Sequence, residues 1–174
     1  MREVRDVDGI GPARPSSLTS RGDRTRQRLI DGAIELLATR GYGATTTQAV
    51  LDASGLSRGS LLHQFKTRDQ LMLAVTQEAL VRMRAGVEHE LSGIGDPIER
   101  LRRYPAVLWR IQQQAPARAF LEVLVASRWE EELQDGLGRA LSAWNQRTTN
   151  RLRESATAHG VVDAAVTLVA RHPR

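Results

Sequence analysis

The chain has 174 residues, 41% of them hydrophobic and 26% charged, with a net charge of +5 and no cysteine. That balance is globular rather than disordered, and the missing thiols exclude disulfides, Cys-ligated zinc and thiolate catalysis. No apolar run approaches the ~20 residues needed to span a bilayer, and the N-terminus has no apolar signal core; a cytoplasmic protein without membrane contact is expected.

Aromatic residues make up only 4% of the chain, so Leu, Val, Ile and Ala must build the core, and no alternating segment suggests a strand. Residues 1–22 read as a flexible arm, interrupted by Gly9, Gly11, Pro12, Pro15 and Gly22. A first helix is expected from about Arg24 to Arg40, with Leu29, Ile30, Ala33, Ile34, Leu36 and Leu37 on one face and Gly41 as its stop. The threonine run after Ala44 offers N-caps for a second helix ending at Ser54. Gly55 suits a left-handed turn, and Ser57 can cap a third helix ending near Phe65. Thr67 followed by Gln70 reads as a capping box for a fourth helix, which carries Leu71, Val75, Leu80, Val87 and Leu91 to the break at Gly93 and Gly95.

Asp96 and Pro97 mark the start of a fifth helix, with Leu101, Val107, Leu108 and Ile111 expected on its buried face. Pro116 starts another, carrying Phe120, Leu121, Val123, Leu124 and Val125. A long helix from about Trp129 to Ala158 and a short one from Asp163 to Ala170 follow. The fold class is therefore all-α, with about eight to nine helices.

Residues 46–65 have the pattern of a helix-turn-helix: one helix across the groove, a tight turn, and a second helix inserted into it. Gly55 supplies the turn, Leu56 fills the angle, and Val50 and Leu61 face inward to lock the pair. Gly59 disfavours helix by about 1 kcal/mol relative to Ala, which suits either a close approach to DNA or a frayed first turn. Of the 25 basic residues all but Lys66 are arginine, the better fork for phosphates and guanine edges; a genome rich in G and C would produce the same bias. Arg2, Arg5, Arg14, Arg21, Arg24, Arg26 and Arg28 crowd the N-terminus, where they could track a DNA backbone or form a solvated tail.

The stretch from Arg24 to about Gln77 resembles the DNA-binding domain of the tetracycline-repressor (TetR) family. The residues that carry the likeness are Gly41-Tyr42-Gly43-Ala44-Thr45-Thr46-Thr47, Gly55-Leu56-Ser57-Arg58-Gly59-Ser60-Leu61 and His63-Gln64-Phe65-Lys66-Thr67-Arg68-Asp69-Gln70-Leu71. The resemblance implies a DNA-binding set of Thr46, Thr47, Arg58, Gly59, Ser60, His63, Lys66 and Arg68. Within it, Thr46, Thr47 and Arg68 would touch phosphate, Arg58, Ser60 and His63 would face base edges or backbone, and Arg58 is the candidate for guanine readout. The chain departs from the pattern at Leu62, where tyrosine is usual, at Gln64, where an aromatic is common, and at Leu51, where alanine is usual.

The same resemblance implies a three-helix helix-turn-helix domain over 23–83 and a helical effector-binding and dimerisation domain over 84–174, shortened at its C-terminus. Its partners would be an operator in double-stranded DNA, a second copy of the chain and a small-molecule effector, with no cofactor. Leu108, Trp109, Gln112, Phe120 and Trp129 are the candidate ligand-binding residues; ordinary packing is the alternative for each. The function implied is a sequence-specific transcriptional regulator, a repressor released by its ligand. The alternative is a helical interaction protein of the same fold with weakened DNA binding. An enzyme is disfavoured, since His63, His89, His159 and His172 lie far apart and no metal, phosphate-loop or nucleophile motif accompanies them.

Overall fold

A computed structural model of the chain describes residues 21–158. Within them lie seven helices and no strand: α1 (Arg21–Ala44), α2 (Thr47–Ser54), α3 (Arg58–Gln64), α4 (Arg68–Leu91), α5 (Pro97–Gln112), α6 (Ala115–Ala126) and α7 (Glu131–Ala158). The arm over 1–20 and the short helix expected over 163–170 lie outside the described residues. The helix count is thus slightly below the expected eight to nine.

α1 begins three residues earlier than expected, taking in Arg21 and Gly22. The Thr25 hydroxyl donates to the Arg21 carbonyl at 2.9 Å, and Asp23 in the first turn complements the helix dipole. At the other end Gly41 breaks the helical path with φ 78°, a left-handed value that a side chain would resist. Leu29, Ile30, Ala33, Ile34, Leu36 and Leu37 are all buried, as their helical spacing requires.

α2 and α3 are capped as the sequence implies. Thr46 accepts from the Ala49 N–H at 3.1 Å and Ser57 from the Ser60 N–H at 3.2 Å. Thr67 likewise accepts from the Gln70 N–H at 3.2 Å to start α4. The Gln70 side chain returns the bond one residue upstream of the usual place, accepting from the Lys66 N–H at 2.9 Å.

The main core joins α1 to α4, with Val50, Leu51, Leu61, Phe65, Leu71, Met72 and Val75 filling it. Ala119 and Val123 of α6 and Leu133 of α7 are buried in the same cluster. A polar knot braces α1 on α4: the Gln27 amide donates to Asp31 at 3.1 Å and to Glu78 at 3.3 Å, while Arg82 bonds both of those acids.

α5 departs from the expectation. Val107 and Ile111 are buried, against Leu91, Met83 and Val87, but Leu101 is 73% exposed. The helix packs chiefly on α4, which covers only the stripe through 107 and 111. Leu101, with Ile98 and Trp109, falls outside that stripe. On α6 the same reasoning applies: Val123 is buried, and Leu121 and Val125 are exposed.

Candidate nucleic-acid interface

The threonine run, the turn glycine and the serine cap together shape one surface. Thr46 ends its cap bond with its backbone extended, and Thr47 opens α2 beside it. Gly55 closes α2 at φ 61° and ψ 37°, and its N–H and that of Leu56, at 3.2 Å, both bond the Leu51 carbonyl. This tight exit turns the chain into Ser57 and α3. Val50, fully buried, and Leu61, 4% exposed, pin the two helices to α1 and the shared core.

α3 is only seven residues long, and its outer side is small and polar. Arg58, Gly59 and His63 are exposed, and the Ser57 and Ser60 hydroxyls lie 3.0 Å apart. A Cβ added to Gly59 would come no nearer than 3.9 Å to the Ser57 hydroxyl. Among the described residues nothing in the packing demands glycine there, whereas a surface approaching from outside would gain by it. His63 lies beside Gln64, with Nδ1 3.5 Å from the amide nitrogen.

Between α2 and α3 runs a shallow groove whose lining includes Thr47, Arg58, Lys66, Arg68 and the half-exposed Leu62. Four of the eight DNA-binding candidates therefore share one groove. Thr46, Gly59, Ser60 and His63 flank it on the same two helices. Thr47 and Arg58, the first residues of α2 and α3, line it together with Lys66, an arrangement suited to a phosphate-lined duplex.

Arg68 sits differently from the others. Its guanidinium lies over the Tyr42 ring, 3.9 Å from the centroid, and Nη2 donates to the Tyr42 carbonyl at 2.9 Å. The Tyr42 hydroxyl in turn donates to Glu130 at 2.8 Å. Burial, and then that hydrogen bond, push the Tyr42 phenol well above its ordinary value. Two further arginines brace the motif from α1. Arg28 donates to the Ser54 carbonyl at 2.6 Å, and Arg26 stacks on Phe65 at 4.6 Å. Neither contact was anticipated, because periodicity places a residue on a face but not against a partner from another element.

Residues 29–75 match the model of the bacterial regulatory proteins of the tetR family. Over these residues the chain is similar to the DNA-binding domain of that family. The transcriptional repressor AcnR of Corynebacterium efficiens is 36% identical over 59 residues, 34% of this chain and 31% of that protein. The repressor KstR2 of Mycolicibacterium smegmatis is 32% identical over 92 residues, 53% of this chain and 43% of that protein. These matches thus span less than half the length of either relative. Among solved structures, Salmonella enterica GusR superposes with a TM-score of 0.66 at 22% identity, over 89% of this chain and 80% of that one. The TetR-family regulator PfmR of Thermus thermophilus gives 0.51 at 25% identity, over 83% and 79%. The likeness to GusR is one of fold.

The ligand-binding candidates of the later helices are scattered. Leu108 and Phe120 are partly buried, Gln112 is exposed, and Trp109 and Trp129 are 70% and 83% exposed. Both indoles lie on the outer surface rather than turned inward. Among the described residues no helix is long and apolar enough to cross a membrane.

Proposed function

We propose that the chain is a sequence-specific DNA-binding transcriptional regulator acting as a repressor, with Thr46, Thr47 and Lys66 on phosphate and Arg58, Ser60 and His63 toward base edges. The observation that carries this reading is the groove between α2 and α3, where Thr47, Arg58 and Lys66 meet beside a left-handed Gly55 turn. Arg58 opens α3 with its side chain exposed, the position from which a guanidinium reaches the major groove. AcnR and KstR2, both named as repressors, support the direction of regulation. A homodimer completes the reading, since two heads on paired half-sites give the specificity that one lacks. Release by a small molecule would fall to the helices after α4.

Selection of bound duplexes from a random DNA pool tests the whole of it. The expected product is a palindrome whose half-sites are about one helical turn apart. Affinity should fall steeply with salt, as several phosphate contacts require. Failure to retain any duplex at low salt would overturn the reading.

A further inference from the structure

Arg68 lines the DNA-facing groove, yet its donors are turned to the protein. Besides the stack on Tyr42 and the bond to that residue's carbonyl, Nε donates to the Thr45 carbonyl at 3.4 Å. Nη1 stands 3.7 Å from Glu130 Oε1. The other Glu130 oxygen accepts from the Tyr42 hydroxyl, which fixes the carboxylate where it faces the guanidinium. Glu122 adds a second hold, accepting from the Tyr42 N–H at 3.0 Å. Glu122 lies on α6, and Glu130 immediately precedes α7. Two acids from the later half of the chain thus close on Tyr42 in the last turn of α1, which leads into Thr46.

We propose that Glu130 withholds Arg68 from DNA phosphate, so that the α6–α7 connection sets how many cations the reading head offers. This rests on the DNA-binding reading above. A carboxylate and a phosphate oxygen compete for the same guanidinium edge. The side chains of Arg68 and Glu130 are 30% and 38% exposed, open enough for a phosphate to displace a partly screened pair. The two backbone carbonyls keep Arg68 in the groove in either state. Any shift that draws Glu130 away hands the guanidinium to DNA, and any shift that presses it closer weakens the grip.

The experiment is a salt titration of binding to a fluorescent random-sequence duplex long enough for two half-sites. It compares the wild-type chain with Glu130→Gln, Arg68→Ala/Glu130→Gln and Glu131→Gln. Each phosphate neutralised adds about 0.9 to the slope of log K against log salt. Glu130→Gln should steepen the slope by about that amount for each reading head bound, roughly 1.8 for a dimer on two half-sites, and the added Arg68→Ala should cancel the gain. Glu131, exposed at the start of α7, controls for the loss of any nearby negative charge and should leave the slope unchanged. Tyr42→Phe, which frees Glu130 from its anchor, should move the slope in the same direction by less and serves if Glu130→Gln does not fold. A slope that neither Glu130→Gln nor Tyr42→Phe steepens overturns the proposal, as does a gain that survives Arg68→Ala. If the wild-type chain binds no duplex, it is the DNA-binding reading that falls.

Discussion

Replacing Gly55 by alanine isolates the backbone geometry of the turn from its contacts. The residue holds φ 61° and ψ 37°, where a Cβ approaches the next carbonyl at a cost of about 1–2 kcal/mol. An added Cβ would lie 3.4 Å from the Arg28 guanidinium, an ordinary van der Waals distance, so Arg28 can keep its bond to Ser54. Strain, not crowding, decides the outcome. Alanine also narrows the unfolded ensemble, offsetting about 0.4–1 kcal/mol. The expected net loss is therefore about 1 kcal/mol, a fall of roughly 0.5 M in the urea midpoint for a typical slope. Gly55→Asn should lose less, because asparagine tolerates the left-handed region. Equilibrium unfolding in urea, followed by helical circular dichroism, reads all three. Alanine at wild-type stability, or asparagine costing more than alanine, would refute the account.

Arg58→Ala should reduce discrimination between a selected duplex and a random one by about 1–3 kcal/mol, measured by competition, while thermal stability stays within the ±0.5 kcal/mol or so of an ordinary surface change. Leu61→Ala, at a site only 4% exposed, should destabilise the fold by roughly 2–5 kcal/mol in urea unfolding and release α3 from its anchor. Tyr42 supplies a pH dependence. Burial, then the hydrogen bond to Glu130, raise its folded-state value, so the folded chain favours the neutral phenol. That stabilisation is fully present below the unfolded value of about 10 and lost progressively as pH rises above it. Urea midpoints measured on either side of that pH should fall for the wild-type chain and less so for Tyr42→Phe.

The parts of the fold set by local chemistry were legible in the sequence. Thr46, Ser57 and Thr67 cap their helices through bonds spanning three residues, and Gly41 and Gly55 take the positive φ values that only a turn glycine adopts readily. The buried face of α1 followed from period alone. What failed was the burial of Leu101 on α5, because periodicity says that a face is apolar and not whether a neighbour covers it. α5 carries apolar residues on more than one side, and only α4 decides which side is inside. The same limit applies to Arg68. Its place in the motif was readable, but Tyr42, Glu122 and Glu130 come together across 80 and 88 residues of sequence separation, which no local pattern encodes.

The shared core bears on whether the reading head is a module that folds alone. The sequence divides naturally near residue 83, inside α4, yet Ala119, Val123 and Leu133 are fully buried against the α1–α4 cluster. Burying one valine and one leucine is worth about 1.5–3 kcal/mol each, so removing α6 and α7 forfeits roughly 3–6 kcal/mol before the alanine is counted. Typical domains have only about 5–15 kcal/mol in all. It would also expose the side of α1 that α6 covers and release Tyr42 from Glu122 and Glu130. A fragment covering residues 21–83 should therefore lack a cooperative thermal transition, while one covering 21–158 retains it, both followed by circular dichroism. A short fragment that melts as sharply and as high as the longer one would mean that α6 and α7 merely rest on the reading head. In that case no strain generated among the later helices could reach α2 and α3 through the core, and the last turn of α1 at Tyr42 would be the remaining route.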